Sequence, residues 1–234
     1  MRFTWSDLVA VPGFLLSGMF VLLSKYNSSV YHYFIAVFVA IALNISLVYF
    51  SKIHYRRCCV TTLLKHLHDF LISLPPSQIG RISSISDDDD FRYTIFIPSR
   101  FIDRLFQLAR YYQGKIDISH TTLNYGEGVG GQAFQRNEDV IIPDVSANTS
   151  DAKGSWVKTL VHWGMSEKKI RKLGVLDRGG YACLPIKTGS AKIGVLCVDT
   201  ETRDAISPEI VDKIRGYLSS IKDVTEKGGL FNGR

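Results

Sequence analysis

Residues 26–51 run for twenty-six positions without a charged side chain. A run of that length has to be buried in protein or in lipid, and here it has the dimensions of a membrane span. As a helix rising about 1.5 Å per residue, residues 31–50 reach about 30 Å, the thickness of a bilayer's hydrocarbon core. Eleven of those twenty are Leu, Ile, Val or Phe. At roughly −0.3 to −0.6 kcal/mol each they outweigh Asn44, Ser46 and an interfacial His32. A second charge-free run, residues 8–23, is sixteen long and carries Pro12 and Gly13, so it spans only with help from Trp5, Ser24 and a packed neighbour. A signal peptide is the rival reading, but Asp7 offsets Arg2 and no small-x-small cleavage pattern follows. The expectation is a hairpin of two transmembrane helices turning at residues 25–29, with Trp5, Tyr26, Tyr31, Tyr33, Tyr49 and Tyr55 at the interfaces. Asn44 and Ser46 either bond across helices or face their own backbone.

The net charge of +6 raises the question of nucleic-acid binding, and its placement answers it. Residues 1–50 carry +1, residues 51–57 carry +3 through Lys52, Arg56 and Arg57, and residues 58–234 carry only +2. Half of the excess is a juxtamembrane collar. By the excess of Lys and Arg on cytoplasmic loops, it places both termini inside, in a multi-pass protein of the inner membrane. Duplex nucleic acid is not an expected partner; the lipid bilayer is.

Val60, Leu63, Leu64, Leu67, Leu71 and Leu74 recur at helical spacing, with Lys65, His66, His68 and Asp69 on the other side. Residues 60–73 therefore form an amphipathic helix, stopped by Pro75 and Pro76, that is placed to continue the second membrane helix. His66 and His68 do not share a face, which argues against a metal pair. The run Asp87 to Asp90 lacks the interleaved ligands and glycine of a calcium loop. Four cysteines, with Cys58 and Cys59 at the collar, give no disulfide framework and no metal spacing. No cofactor and no metal ion is expected.

Beyond residue 90 the period changes to two: Tyr93, Ile95 and Ile97 against Thr94 and Phe96, then residues 105–112, 182–186 and 193–198. A closing helix starts with Ser207 as cap and Pro208 at the first position, and carries Ile210, Val211, Ile214, Leu218 and Ile221 inward. The fold class is α+β with an antiparallel sheet flanked by helices, preceded by the two membrane helices. The expected division is residues 1–57 for hairpin and collar, 58–76 for the connecting helix and 77–234 for the head.

The segment Asn124-Tyr125-Gly126-Glu127-Gly128-Val129-Gly130-Gly131-Gln132-Ala133-Phe134, followed by Val140-Ile141-Ile142-Pro143-Asp144-Val145, resembles the signature of the GAF domain family. Tyr181-Ala182-Cys183-Leu184-Pro185-Ile186 and Ile193-Gly194-Val195-Leu196-Cys197-Val198-Asp199 are similar to that family's next two strands. Read physically, the four glycines allow positive φ and close packing beneath a helix. A phosphate loop would need Gly-Lys-Ser/Thr, which is missing.

The resemblance implies a small-molecule sensor and dimerisation module whose pocket lies under residues 146–180. That region holds Trp156, His162 and Trp163, then Lys168, Lys169, Arg171 and Lys172 on a short helix after Ser166. Aromatic rings and cations together suit a nucleotide-like anion such as a cyclic nucleotide or oligonucleotide. The bland reading, core tryptophans and a solvated basic face, stays open. The candidate ligand-binding set is Trp156, His162, Trp163, Lys168, Arg171, Tyr181 and Asp144. Departures from subfamily patterns narrow the field. No Cys-His pair serves a bilin; Cys183 and Cys197 do not sit where the free methionine sulfoxide reductases of this fold place their thiols, so redox catalysis by that pair is not expected; and Asp199-Thr200 replaces the phosphodiesterase Asn-Lys pair.

No triad, carboxylate pair or metal cluster stands out, so the chain is not expected to be an enzyme. The expected function is a membrane-anchored cytoplasmic sensor. It would signal through its hairpin by oligomerisation or membrane disruption, and form a homo-oligomer through the head and connecting helices. The layout is similar to two-span effectors of bacterial cyclic-oligonucleotide antiphage systems. The alternative is a scaffold or regulatory subunit whose head docks a separate membrane or signalling partner.

Overall fold

Why one helix carries both lipid-like and core-like residues is the first thing the three-dimensional structure answers. The computed structural model describes Gly18, Val21 and residues 30–74, 91–99, 102–112, 114–117, 121–145, 155–172 and 178–220. It divides into two units, Met1–Cys59 and Val60–Arg234. Helix α1, Val30–Ser73, is an unbroken helix of 44 residues that runs from the first unit into the second. The membrane span and the connecting helix of the sequence reading are thus successive parts of one element.

In the first unit α1 leaves its apolar side chains uncovered: Phe38 is 75% exposed, Ile45 65% and Phe50 68%. Asn44 Nδ2 donates to the carbonyl of Ala40 and Ser46 Oγ to that of Ala42, each at 2.8 Å. Both polar side chains therefore satisfy themselves four residues back on their own helix, which removes most of their cost in lipid. Among the described residues α1 is the one helix long and apolar enough to cross a membrane. The expectation of two transmembrane helices is corrected to that extent; residues 8–23 lie, apart from Gly18 and Val21, outside the described residues, as does the turn at 25–29. The collar follows, with Lys52 exposed and Arg56 and Arg57 half-buried on α1.

In the second unit the same helix buries Val60, Leu64, Leu67 and Leu71. His68, read from the sequence as part of the polar face, is buried as well. Its Nδ1 lies 3.3 Å from the Tyr93 hydroxyl, and its ring packs against Tyr111. A polar side chain on an apolar stripe is tolerated there because it finds a partner.

Among the described residues the sheet has seven antiparallel strands. They are β1 (Arg92–Pro98), β2 (Arg104–Tyr112), β3 (Lys115–Asp117), β4 (Thr122–Asn124), β5 (Val140–Ile142), β6 (Gly180–Thr188) and β7 (Ala191–Thr200). The order is β3-β2-β1-β7-β6-β5, with β4 also on β2. The helices are α2 (Gly128–Arg136), α3 (Ser155–His162), α4 (Glu167–Lys172) and α5 (Pro208–Ser220). The fold is therefore α+β, as the change of period implied. Ser207 caps α5, its Oγ accepting from the Ile210 amide at 3.4 Å.

Because β1 and β7 are central, they are buried on both faces. One face carries Tyr93 and Tyr111 toward His68 of α1, and Phe70 of α1 stacks on Tyr217 of α5. The other face packs against α2 and the α3–α4 segment through Leu123, Val129, Phe134, Leu160, Met165 and Ile170. The run Asp87 to Asp90 lies outside the described residues.

Candidate functional site

Strand register brings chemistry together on that second face. Thr94 of β1 pairs with Arg110 of β2 and with Cys197 of β7, and Cys197 pairs with Cys183 of β6. One step along, Arg92 pairs with Tyr112 and with Asp199, and Asp199 pairs with Tyr181. Two adjacent rungs across four strands thus carry nearly all the polar side chains of an otherwise apolar surface.

Above these rungs lies a partly open cavity of about 80 Å³. Its floor is the two rungs, through Arg92, Thr94, Arg110, Tyr181, Cys183, Cys197 and Asp199, joined by Phe96 and Thr121. Its roof is Leu123, Val129, Gly130, Leu160 and Met165. The glycine-rich segment makes the roof possible. Gly128 opens α2 with φ +67°, and a Cβ on Gly130 would stand 2.7 Å from Cys197 Sγ. The α3–α4 segment is tied to this turn by the Gly128 amide donating to the Trp163 carbonyl at 2.8 Å and by the Lys169–Glu127 ion pair at 2.7 Å.

Asp199 organises the floor. Arg92 meets both of its oxygens at 3.0 Å, and Arg178 Nε lies 2.9 Å from Oδ1. Arg178 also stacks its guanidinium 5.2 Å from the centre of the Tyr112 ring and reaches Glu201 at 3.4 Å. Burial works against the charge of Arg92, yet Asp199 beside it raises the pKa above the ordinary value, so the guanidinium stays charged. Burial, with Asp199 adding, raises Tyr181 far enough that its phenol stays protonated. Burial and the contact with Cys197 push the Cys183 thiol well above its ordinary 9.0. The two sulfurs are free thiols 2.8 Å apart.

Of the residues singled out from sequence, Tyr181 lines the cavity. Trp163, between α3 and α4, is half-buried against the edge of the core, with Arg136 stacked 5.5 Å from its ring centre. His162 and Lys168 are exposed. Asp144 is partly exposed and lies 4.0 Å from Arg203. The side chains of Trp156 and Arg171 lie outside what the structure describes. The cationic lining comes instead from Arg92 and Arg110, which sequence reasoning missed. The available signal was a charge inside a strand pattern, flanked by Phe91 and Tyr93 or by Ala109 and Tyr111, since a buried charge must be paired or in use. Among the described residues no group of three or more His, Cys, Asp or Glu could hold a metal ion.

No protein-family model matches the chain, and no curated protein matches it. Several solved structures are similar to it. The GAF domain of a two-component sensor histidine kinase from Bacillus halodurans shares 14% identity, with 72% of this chain and 97% of that one covered and a TM-score of 0.43. The GAF domain of a phosphoenolpyruvate-protein phosphotransferase from Coxiella burnetii shares 15%, over 76% and 97%, at 0.42. Free methionine-R-sulfoxide reductase from Neisseria meningitidis, in complex with its substrate, shares 16%, over 58% and 70%, at 0.40. Reductases of this kind recur among the similar structures, and they are enzymes, so the expectation of a chain without enzymatic activity is corrected. The chain is similar in fold both to GAF domains and to these reductases.

Proposed function

We propose that the protein is a membrane-anchored sensor that takes a small anionic molecule into the cavity between its sheet and the α2–α4 layer. The observation that carries this reading is the cavity's two-sided chemistry, an apolar roof over a floor that holds the Arg92–Asp199 ion pair and the Arg110 guanidinium, which donates to Gln107 Oε1 at 3.0 Å. Pockets of this kind orient a ligand with a few polar groups and gain affinity from the rest. The cavity, partly open and about 80 Å³, offers several times the roughly 10–15 Å³ that a single water needs. That room admits a compact carboxylate or phosphate, and the proposed ligand is of that class.

The exposed apolar stretch of α1 supports anchoring in lipid, with Lys52, Arg56 and Arg57 at the cytoplasmic interface. Within the sheet unit α1 packs on the face of the sheet opposite the cavity, through His68 against Tyr93 and Tyr111.

The test is a thermal-shift screen of the full-length protein in lipid nanodiscs against small carboxylates and phosphates. A binder at a hundred times its Kd adds about 2.7 kcal/mol, a shift of several degrees. Arg110→Ala should abolish that shift. If no anion raises the melting temperature, or if Arg110→Ala binds as well as the parent, the reading fails.

A further inference from the structure

The cavity floor holds one pair of groups that anion binding does not use. Cys183 and Cys197 are directly opposed in antiparallel register, with their sulfurs 2.8 Å apart. Opposed residues on antiparallel strands have Cα atoms about 4.5 or 5.5 Å apart. Both spacings fall in the window of about 4.4–6.8 Å that a disulfide spans. Both cysteines line the cavity, and Gly130 stands over them where any Cβ would press on Cys197 Sγ at 2.7 Å. The missing methyl lets α2 seat closely over the pair, and both sulfurs remain part of the cavity lining.

We infer that Cys183 and Cys197 are a reversible redox modification site, in which a small hydroperoxide entering the cavity converts the cross-strand dithiol into a disulfide. In the first step one sulfur attacks a peroxide oxygen. The O–O bond breaks, and with hydrogen peroxide one water leaves as that sulfur becomes a sulfenic acid. In the second step the other sulfur attacks the sulfenic sulfur. The S–S bond forms, the S–O bond breaks and a second water leaves, carrying the remaining thiol proton. The two sulfurs together lose two electrons, and the peroxide gains both.

Several features fit this chemistry. Hydrogen peroxide has two heavy atoms and fits a cavity of about 80 Å³, several times the roughly 10–15 Å³ that one water needs. The second sulfur already stands beside the first, so the sulfenic acid is captured before further oxidation. Burial keeps Cys183 in its thiol form at neutral pH, so the site reacts slowly and answers sustained oxidant rather than brief exposure. Cys58 and Cys59 lie on α1, outside this pair. The inference stands whether or not the cavity also binds an anion.

The experiment uses the full-length protein carrying Cys58→Ser and Cys59→Ser, in detergent micelles, treated with hydrogen peroxide, alkylated and digested without reduction. The expected product is a single peptide pair joining β6 to β7, about 2 Da lighter than the two reduced peptides and returned to free thiols by dithiothreitol. The peroxide dose is set as the one that fully oxidises the same protein unfolded in guanidine. Recovery of both thiols unchanged from the folded protein at that dose overturns the inference. So does accumulation of sulfinic acid at either cysteine in place of the crosslink. The readout is taken on the intact pair and does not require either cysteine variant to fold.

Discussion

Asp199 is the residue on which the cavity floor depends, because it is the carboxylate between Arg92 and Arg178. With side chains only 5%, 12% and 3% exposed respectively, removing it strands buried positive charge. Asp199→Ala should therefore destabilise the protein by about 3–5 kcal/mol, read as a shift in denaturant midpoint. Asp199→Asn, which keeps hydrogen-bond acceptance at one oxygen, should cost less. Two other floor residues set the alkaline limit. Cys183 and Tyr181 both have folded pKa values raised above their ordinary 9.0 and 10.0. A raised pKa favours the protonated form in the folded state, so its contribution is complete below the ordinary value and is lost as pH climbs past it. Stability should thus be level from pH 7 to 8 and fall above about pH 9, first through Cys183 and then through Tyr181, at up to about 1.4 kcal/mol per pH unit for each group. A denaturation series from pH 7 to 11 checks this, and a level profile across the range would refute it.

At the scale of elements, α1 and the glycine-led α2 make the two instructive cases. The helical period of Val60, Leu64, Leu67 and Leu71 was legible from sequence, and so was the apolar, span-length character of residues 31–50, because both are properties of local composition. That the two join into one helix was open until the structure showed no break between them. Replacing Ile41 and Ile45 with Arg adds about 5–7 kcal/mol to insertion of the span. The double variant should pass from the carbonate-resistant membrane fraction to the soluble one, and unchanged membrane retention would argue against α1 as the anchor. In α2 the sequence marked Gly130 as a place of close packing, but not what it packs on. Gly130→Ala should overpack Cys197 and cost about 1–3 kcal/mol. The basic helix α4 shows the opposite limit. Its position after Ser166 was readable, yet Lys168 points to solvent and Lys169 to Glu127.

Across the whole sheet unit, β1 acts as a partition. Arg92, Thr94 and Phe96 face the cavity, while Tyr93 turns to His68 of α1 on the reverse face. Tyr93→Phe should lose about 1 kcal/mol with its hydrogen bond and leave cavity ligand affinity unchanged, as measured by titration calorimetry with whichever anion the screen yields. Altered affinity would mean that the two faces are coupled through the strand.

Sequence alone determined the long apolar helix, the α+β class, the alternating strands and the glycine turn, since each follows from period and composition over a few residues. It did not determine the floor of the cavity. Arg92 and Asp199 stand 107 positions apart, and Arg110 meets Thr94 only through strand pairing. Which buried charge finds which partner depends on register across four strands, a long-range property that only the folded sheet decides.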